Sequence, residues 1–280
     1  MTSLSKCIGV IGVGSLGEAL INMFLNQSHR SSPTMIYGGT KRDDRVKELI
    51  GKSFFDAVEN GEVFFTTDNL VVATTSDILI LTVKPGQIKD VCNQIADIIH
   101  KDTVVISTAA AIPLRKLREW LPHTHTIIRC MPNVPCSIGE GIVPYISDIY
   151  RDHITTSNIM EDVFYPNKIL ELSNDAELNA ATLISGCGPA FFAWYSDCLS
   201  KIGGNVLSSK HVKLMITQTM KGTAVMLETK TTDDIIKAVA SPKGATETCL
   251  KSLQQANVDN LIINGLMAAQ IRIDTMANMS

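Results

Sequence analysis

Residues Ile8 to Leu20 read IGVIGVGSLGEAL. A short apolar run, expected as a strand over Cys7–Val13, meets three glycines, and a helical pattern over Gly17–Gln27 follows. The glycines Gly12, Gly14 and Gly17 have the spacing GxGxxG, which alone is compatible with a plain tight turn. Placed after a strand and at the opening of a helix, they read as a dinucleotide-binding turn. Gly12 permits the turn itself, Gly14 lets the backbone approach a pyrophosphate, and Gly17 lets the helix pack closely on the sheet. The phosphates would lie on backbone N–H groups at the helix start, around Ser15, Leu16 and Gly17.

Working outward, short apolar runs at Thr34–Tyr37, Val63–Thr66, Ile78–Val83, Thr103–Thr108 and Thr126–Met131 alternate with helical patterns at Arg45–Asn60, Pro85–Ile99 and Ile112–Trp120. Strands separated by helices of this length predict a parallel βαβ sheet. Their near-continuous apolar character fits strands buried on both faces. After about residue 150 strand signals stop, apart from a weak one at Lys168–Leu172. Helical segments take over at 175–185, 190–202, 208–228, 232–240, 246–255 and 260–277, with Ser208, Thr232 and 257–260 as candidate caps. The expected fold is α/β plus all-α: a Rossmann-like parallel-sheet domain over 1–168, then a helical domain over 169–280.

Composition narrows the function. The chain has 280 residues, 45% of them hydrophobic, and a net charge of −3. No global positive field exists to hold nucleic acid. No apolar run approaches the roughly 20 residues of a membrane span. The seven cysteines are odd in number and form no CxxC pair. That argues against a zinc knuckle or a disulfide framework and for a reducing compartment, the cytoplasm. No metal site is expected.

Near the end of the second strand, Ser31–Arg42 reads SSPTMIYGGTKR and contains no acid. A carboxylate there would repel a 2′-phosphate, whereas Lys41 and Arg42, beside Thr40, suit one. NADP is therefore expected, with NAD as the alternative. In an open parallel sheet, ligands bind beyond the carboxyl ends of the strands. Three such ends are unusual: Thr82-Val83-Lys84-Pro85, Ser107–Ala111, and Arg129–Pro135, where two prolines flank Asn133. A stiff loop of that kind suits a nicotinamide-facing wall or a rigid linker. In the helical half, Ser185–Ala190 and Ser241–Thr246 interrupt helical patterns. Each could hold a carboxylate on backbone N–H groups or simply turn a corner. Asp43, Asp44 and Arg45 read as caps of the second helix, and Phe191, Phe192 and Trp194 as core or dimer seam. Met267, Ile271 and Met276 form an apolar stripe that fits an oligomer.

Five motifs in order, IGVIGVGSLGEAL, LTVKP at 81–85, RCMPNVPCSIGEG at 129–141, ATLISGCGPAFF at 181–192 and SPKGAT at 241–246, make nearly the whole chain resemble the pyrroline-5-carboxylate reductase family. The resemblance implies NAD(P)H-dependent reduction of a cyclic imine to proline. It also implies a helical domain that dimerises, with dimers often closing into a decamer. It implies that Ser241, Gly244, Ala245 and Thr246 hold the substrate carboxylate, that Thr246 lies near the ring nitrogen, and that Lys84, Pro85 and Asn133 line the nicotinamide side. Thr246 and Lys84 are thus the candidate catalytic residues. The chain departs from the family pattern at Ala111 and Lys243, where glycine is usual, at Cys187 for serine, at Asn179 for aspartate, and at Glu247 for an apolar residue. Those departures leave two alternatives: a related reductase of another imine acid or hydroxyacid, and a non-catalytic nucleotide-binding paralogue.

Overall fold

The computed structural model describes residues 7–26, 35–149, 153–204 and 206–278. Expectations at Gln27 and at 31–34 lie outside the described residues. The chain forms two compact units, Met1–Gly186 with Gln270–Ser280, and Cys187–Ala269.

The first unit begins with β1 (Ile8–Ile11), α1 (Ser15–Leu25), β2 (Ile36–Gly39), α2 (Asp43–Glu48), α3 (Phe55–Glu59) and β3 (Val63–Thr66). It continues with α4 (Asn69–Thr75), β4 (Ile78–Leu81), α5 (Ile88–Ile95), β5 (Val104–Ser107), α6 (Leu114–Trp120) and β6 (Thr126–Cys130). Then follow β7 (Ile142–Ile149), α7 (His153–Phe164), β8 (Lys168–Glu171) and α8 (Asp175–Ala181). Among the described residues the strands make one sheet, ordered β3-β2-β1-β4-β5-β6-β7-β8. From β3 to β6 all pairings are parallel, as expected. The order reverses between β1 and β4, and such a switch point opens a crevice at the carboxyl ends of the strands.

The apolar runs divide their residues between the two faces. Ile8, Val10, Ile78, Ile80, Val104, Ile106 and Ile128 join one core with Leu20, Ile21 and Phe24 of α1. Ile11, Leu79, Leu81, Val105 and Ile127 join the other with residues of α4, α5 and α6. The two-residue period of a strand sends neighbours to opposite faces, so a sheet covered on both sides has no polar alternation.

One strand is added to the expected parallel set, β7, which runs antiparallel to β6. Two expectations need correction here. The first unit does not end at residue 168: β8 pairs parallel to β7, so a boundary after 168 severs the last strand. The expected helix Arg45–Asn60 is α2, a π-turn at Leu49–Ser53 and α3, with the break at Phe54, whose buried ring tilts against Phe65.

The second unit contains α9 (Gly188–Gly203), α10 (Ser209–Leu227), α11 (Thr232–Val239), α12 (Ala245–Gln255) and most of α13 (Val258–Asn278). Ser208 caps α10 by accepting the His211 N–H. For α11 the cap is Thr231 rather than Thr232, in a capping box with Asp234. Among its described residues, Val212 and Ile216 are the buried large apolar side chains. Phe191, Phe192 and Trp194 are exposed, so they are not core of the single chain.

Candidate active site

Every part of the glycine turn has a visible reason. Gly12 has φ +99°, and a Cβ there would lie 2.6 Å from Val83 Cγ1 and 2.7 Å from the Val83 backbone nitrogen. At Gly17 a Cβ would meet Thr82 Oγ1 at 3.0 Å and the Gly12 carbonyl oxygen at 3.2 Å, so α1 sits as close to the sheet as a glycine allows. Around Gly14 the nearest atom to such a Cβ is 3.9 Å away, which leaves the approach open. The first hydrogen bond of α1 runs from the Glu18 N–H to the Gly14 carbonyl. The N–H groups of Ser15, Leu16 and Gly17 therefore have no partner within the helix. They follow directly on the open space at Gly14, and together these features fit a pyrophosphate.

Two residues that sequence reasoning missed hold this turn. Thr82, at the end of β4, donates its hydroxyl to the Ile11 carbonyl at 3.2 Å and the Gly12 carbonyl at 2.9 Å. Arg45 is not a cap. It reaches back to the Val13 carbonyl at 3.4 Å and pairs with Glu18 at 2.5 Å and Glu48 at 2.9 Å. Glu48 and then Glu18 hold the Arg45 guanidinium above its ordinary pKa, while burial opposes them. The Ser53 hydroxyl donates to the other oxygen of Glu18 at 2.7 Å. Two of these partners, Glu18 and Val13, lie 27 and 32 residues upstream, a distance no local pattern reports.

Beyond β2, Thr40 is buried and its N–H donates to the Thr66 carbonyl at 3.0 Å. Lys41 and Arg42 are exposed. Arg42 caps the start of α2 and lies 3.5 Å from Asp44 in an open, solvent-screened pair. From Met35 through Arg42 the described residues carry no acid.

At the end of β4, Val83 packs beside Gly12, Lys84 is exposed, and Pro85 opens a short 3₁₀ turn. The loop after β5 is tied to β4, with the Thr108 N–H and hydroxyl both donating to the Leu81 carbonyl. Ala111 there is buried at φ +62°. After β6, Asn133 is half-buried, and its side-chain oxygen accepts the Ile142 N–H at 3.0 Å and the Cys136 thiol at 3.5 Å. Part of the Asn133 side chain therefore closes its own loop. Burial pushes the Cys136 thiol up to about 11, so it stays protonated at neutral pH.

β6 also carries a buried arginine whose acidic partner is half-buried. Arg129, 1% exposed, donates one guanidinium nitrogen to Asp175 and the other to Asn179 at 2.8 Å. Asp175 also accepts the Leu114 N–H at the start of α6.

In the second unit, the Ser241–Thr246 turn opens α12. The Gly244 N–H donates to the Ser241 carbonyl at 2.9 Å, and a Cβ at Gly244 would lie 2.5 Å from Ser241 Oγ. The first helical bond of α12 runs from the Thr248 N–H to the Gly244 carbonyl, which leaves the Ala245 and Thr246 N–H groups open. Among the described residues the hydroxyls of Ser241 and Thr246 make no hydrogen bond. Lys243 adopts φ +62°. Its N–H donates to Glu247 at 2.7 Å, and Lys251 pairs with Glu247 at 2.9 Å. Lys251, and then the Lys243 N–H, hold the Glu247 carboxyl below the usual range. The structure thus groups Ser241, Gly244, Ala245 and Thr246 at one helix start, and Gly12, Gly14, Val83 and Ser15–Gly17 at one strand end.

Comparison with known proteins agrees along the chain. Residues 175–276 match the family model described as pyrroline-5-carboxylate reductase dimerisation, and residues 7–111 match that of NADP oxidoreductase, coenzyme F420-dependent. Pyrroline-5-carboxylate reductase 2 of Bacillus subtilis is 30% identical over 269 residues, covering 92% of this chain and 91% of that protein. Pyrroline-5-carboxylate reductase of Methanosarcina acetivorans is also 30% identical, covering 95% and 96%. Among solved structures, the Plasmodium falciparum pyrroline carboxylate reductase with NADP bound superposes with a TM-score of 0.83 at 25% identity, over 97% of this chain and 98% of that one. The Coxiella burnetii enzyme gives 0.80 at 28% identity, over 98% and 99%.

Proposed function

The chain belongs to the pyrroline-5-carboxylate reductase family, and on that premise we propose that it reduces 1-pyrroline-5-carboxylate to L-proline with NADPH, NADH being the alternative donor. The observation that carries this reading is the open approach at Gly14, set before three unpartnered N–H groups at the β1/β4 switch point. The bound nicotinamide supplies the hydride. The protein's part is to hold and orient.

Ser15, Leu16 and Gly17 hold the pyrophosphate, while Thr40, Lys41 and Arg42 hold the 2′-phosphate. Val83, Lys84, Pro85 and Asn133 line the nicotinamide side. Ser241, Gly244, Ala245 and Thr246 cradle the substrate carboxylate. The Thr246 hydroxyl positions the ring nitrogen. An alcohol is a weak acid, so the proton on the imine is the substrate's own, taken from solvent before hydride arrives. A cationic C=N is the better acceptor, and after transfer the ring nitrogen already carries its N–H.

The second unit is the dimer-forming part, and a homodimer, with closure into a decamer as the larger form, is the proposed assembly. Among the described residues no helix is long and apolar enough to cross a membrane. All seven cysteines are free, which supports a reducing compartment, the cytoplasm.

The test is oxidation of NADPH and of NADH by the purified protein with pyrroline-5-carboxylate. We expect turnover with both and a several-fold better kcat/KM with NADPH. Replacing Lys41 and Arg42 together by alanine should raise the KM for NADPH about ten-fold and leave that for NADH nearly unchanged. Absence of turnover with either donor would refute the reading.

A further inference from the structure

The turn that opens α12 already holds an anion. The Lys243 N–H donates to one carboxylate oxygen of Glu247 at 2.7 Å, and the other oxygen pairs with Lys251 Nζ at 2.9 Å. Glu247 is the third residue of α12, with Lys251 one turn further on. Its charge lies beside the unpaired Ala245 and Thr246 N–H groups, at the positive end of the same helix dipole. A second anion arriving there competes with Glu247 for that dipole and is repelled by it. Lys251 offsets part of that repulsion. The left-handed backbone at Lys243 closes the turn that hands this N–H to Glu247 rather than to a ligand.

We infer that Glu247 sets how tightly the 241–246 cradle holds its anionic ligand, and that Lys251 is the counter-charge that limits the effect. Glu247 tunes ligand affinity here, acting through charge rather than through contact with the reacting atoms. The inference rests on the proposed substrate carboxylate at this cradle. That carboxylate keeps its charge throughout hydride transfer, so Glu247 acts equally on substrate, transition state and product. The effect belongs in KM and in inhibition by L-proline, not in kcat.

Three variants test it: Glu247→Gln, Lys251→Met, and the two combined. The Gln amide oxygen still accepts the Lys243 N–H, so the first change removes the charge and keeps the turn. We expect its KM for pyrroline-5-carboxylate and its inhibition constant for L-proline to fall together, about two- to five-fold. Lys251→Met should raise both by a similar factor, and the combined variant, having lost both charges, should lie between the two single variants. In all three, kcat stays within about two-fold of the parent. Calorimetric titration with L-proline in the presence of NADP reads the same shift without turnover. A parent that turns over, with variants whose KM and L-proline affinity do not move, overturns the inference and leaves the reductase reading intact. A parent that neither turns over nor binds L-proline overturns both. Variants that lose kcat and thermal stability while KM stays constant reveal a purely structural role, which also overturns it.

Discussion

Ala111 and Lys243 share an uncommon backbone, φ +62° at each. The left-handed region costs an L-residue about 1–2 kcal/mol. The resemblance implies glycine, the residue that suits this backbone, at both positions. Returning either to glycine relieves the strain but loosens the unfolded chain. The net expectation for Ala111→Gly and for Lys243→Gly is a gain of about 0.5–1 kcal/mol each. Differential scanning calorimetry should show the melting temperature rising by about 1–4 °C, and a fall in both variants would contradict the strain argument. Single residues were legible where their job is local. Gly12 sits at a left-handed turn, Gly17 at the close contact between α1 and the sheet, and Gly14 where the space is open, as the spacing suggests for the backbone. Asn133 was read as part of a wall, but the hydrogen bonds of its side-chain oxygen close its own loop. Arg45 pairs locally with Glu48, but it also reaches Glu18 and Val13 across the fold, and those contacts leave no mark in the sequence around it.

Among the elements, α8 does more than its short length suggests. Asp175 at its start takes both the buried Arg129 of β6 and the N–H that opens α6. Burial lowers the Arg129 pKa, and Asp175 is the partner that opposes the shift. Removing the carboxylate would leave a charge in the interior and a helix start unsatisfied. Asp175→Ala should cost about 3–5 kcal/mol in urea unfolding. Asn179→Ala, which breaks one hydrogen bond to the same arginine, should cost about 1 kcal/mol. Equal, small losses in the two variants would refute the ranking. The strands from β1 to β6 could be read because a doubly covered sheet is apolar at every position. β7 is hard to read from sequence because Pro144 stands within it, and proline argues against an interior strand. The structure accommodates it beyond the β6 ladder: the last pairing is Cys130 with Tyr145, and the Pro144 carbonyl accepts the Met131 N–H. β8 belongs to the sheet only through β7, so the sequence alone gives Lys168–Glu171 no sheet to join.

For the whole molecule, the second unit raises the largest energetic question. Five helices contribute Val212 and Ile216 as buried large apolar side chains among their described residues, while Phe192, Trp194, Ile202 and Leu261 are each more than half exposed. Such a set of faces does not hold together in water without a partner. Light scattering on the eluted protein should give at least twice the 30.5 kDa of one chain. Trp194→Glu and Leu261→Glu should shift it toward the monomer, with loss of helical signal. A stable, fully helical monomer would refute the proposed assembly. The apolar stripe on α13 made an oligomer legible in the sequence, whereas the division of α13 between the two units was not, since a continuous helical pattern carries no mark where its contacts change. The first unit resumes at Gln270, so its chain is interrupted by the whole of the second. The strands β1 to β8 all lie between residues 8 and 171, so during synthesis the sheet is complete before residues 187–269 are made. The exposed apolar helices of the second unit therefore emerge after the sheet can close, and chains stalled after residue 186 are expected to protect the sheet from protease as the released protein does.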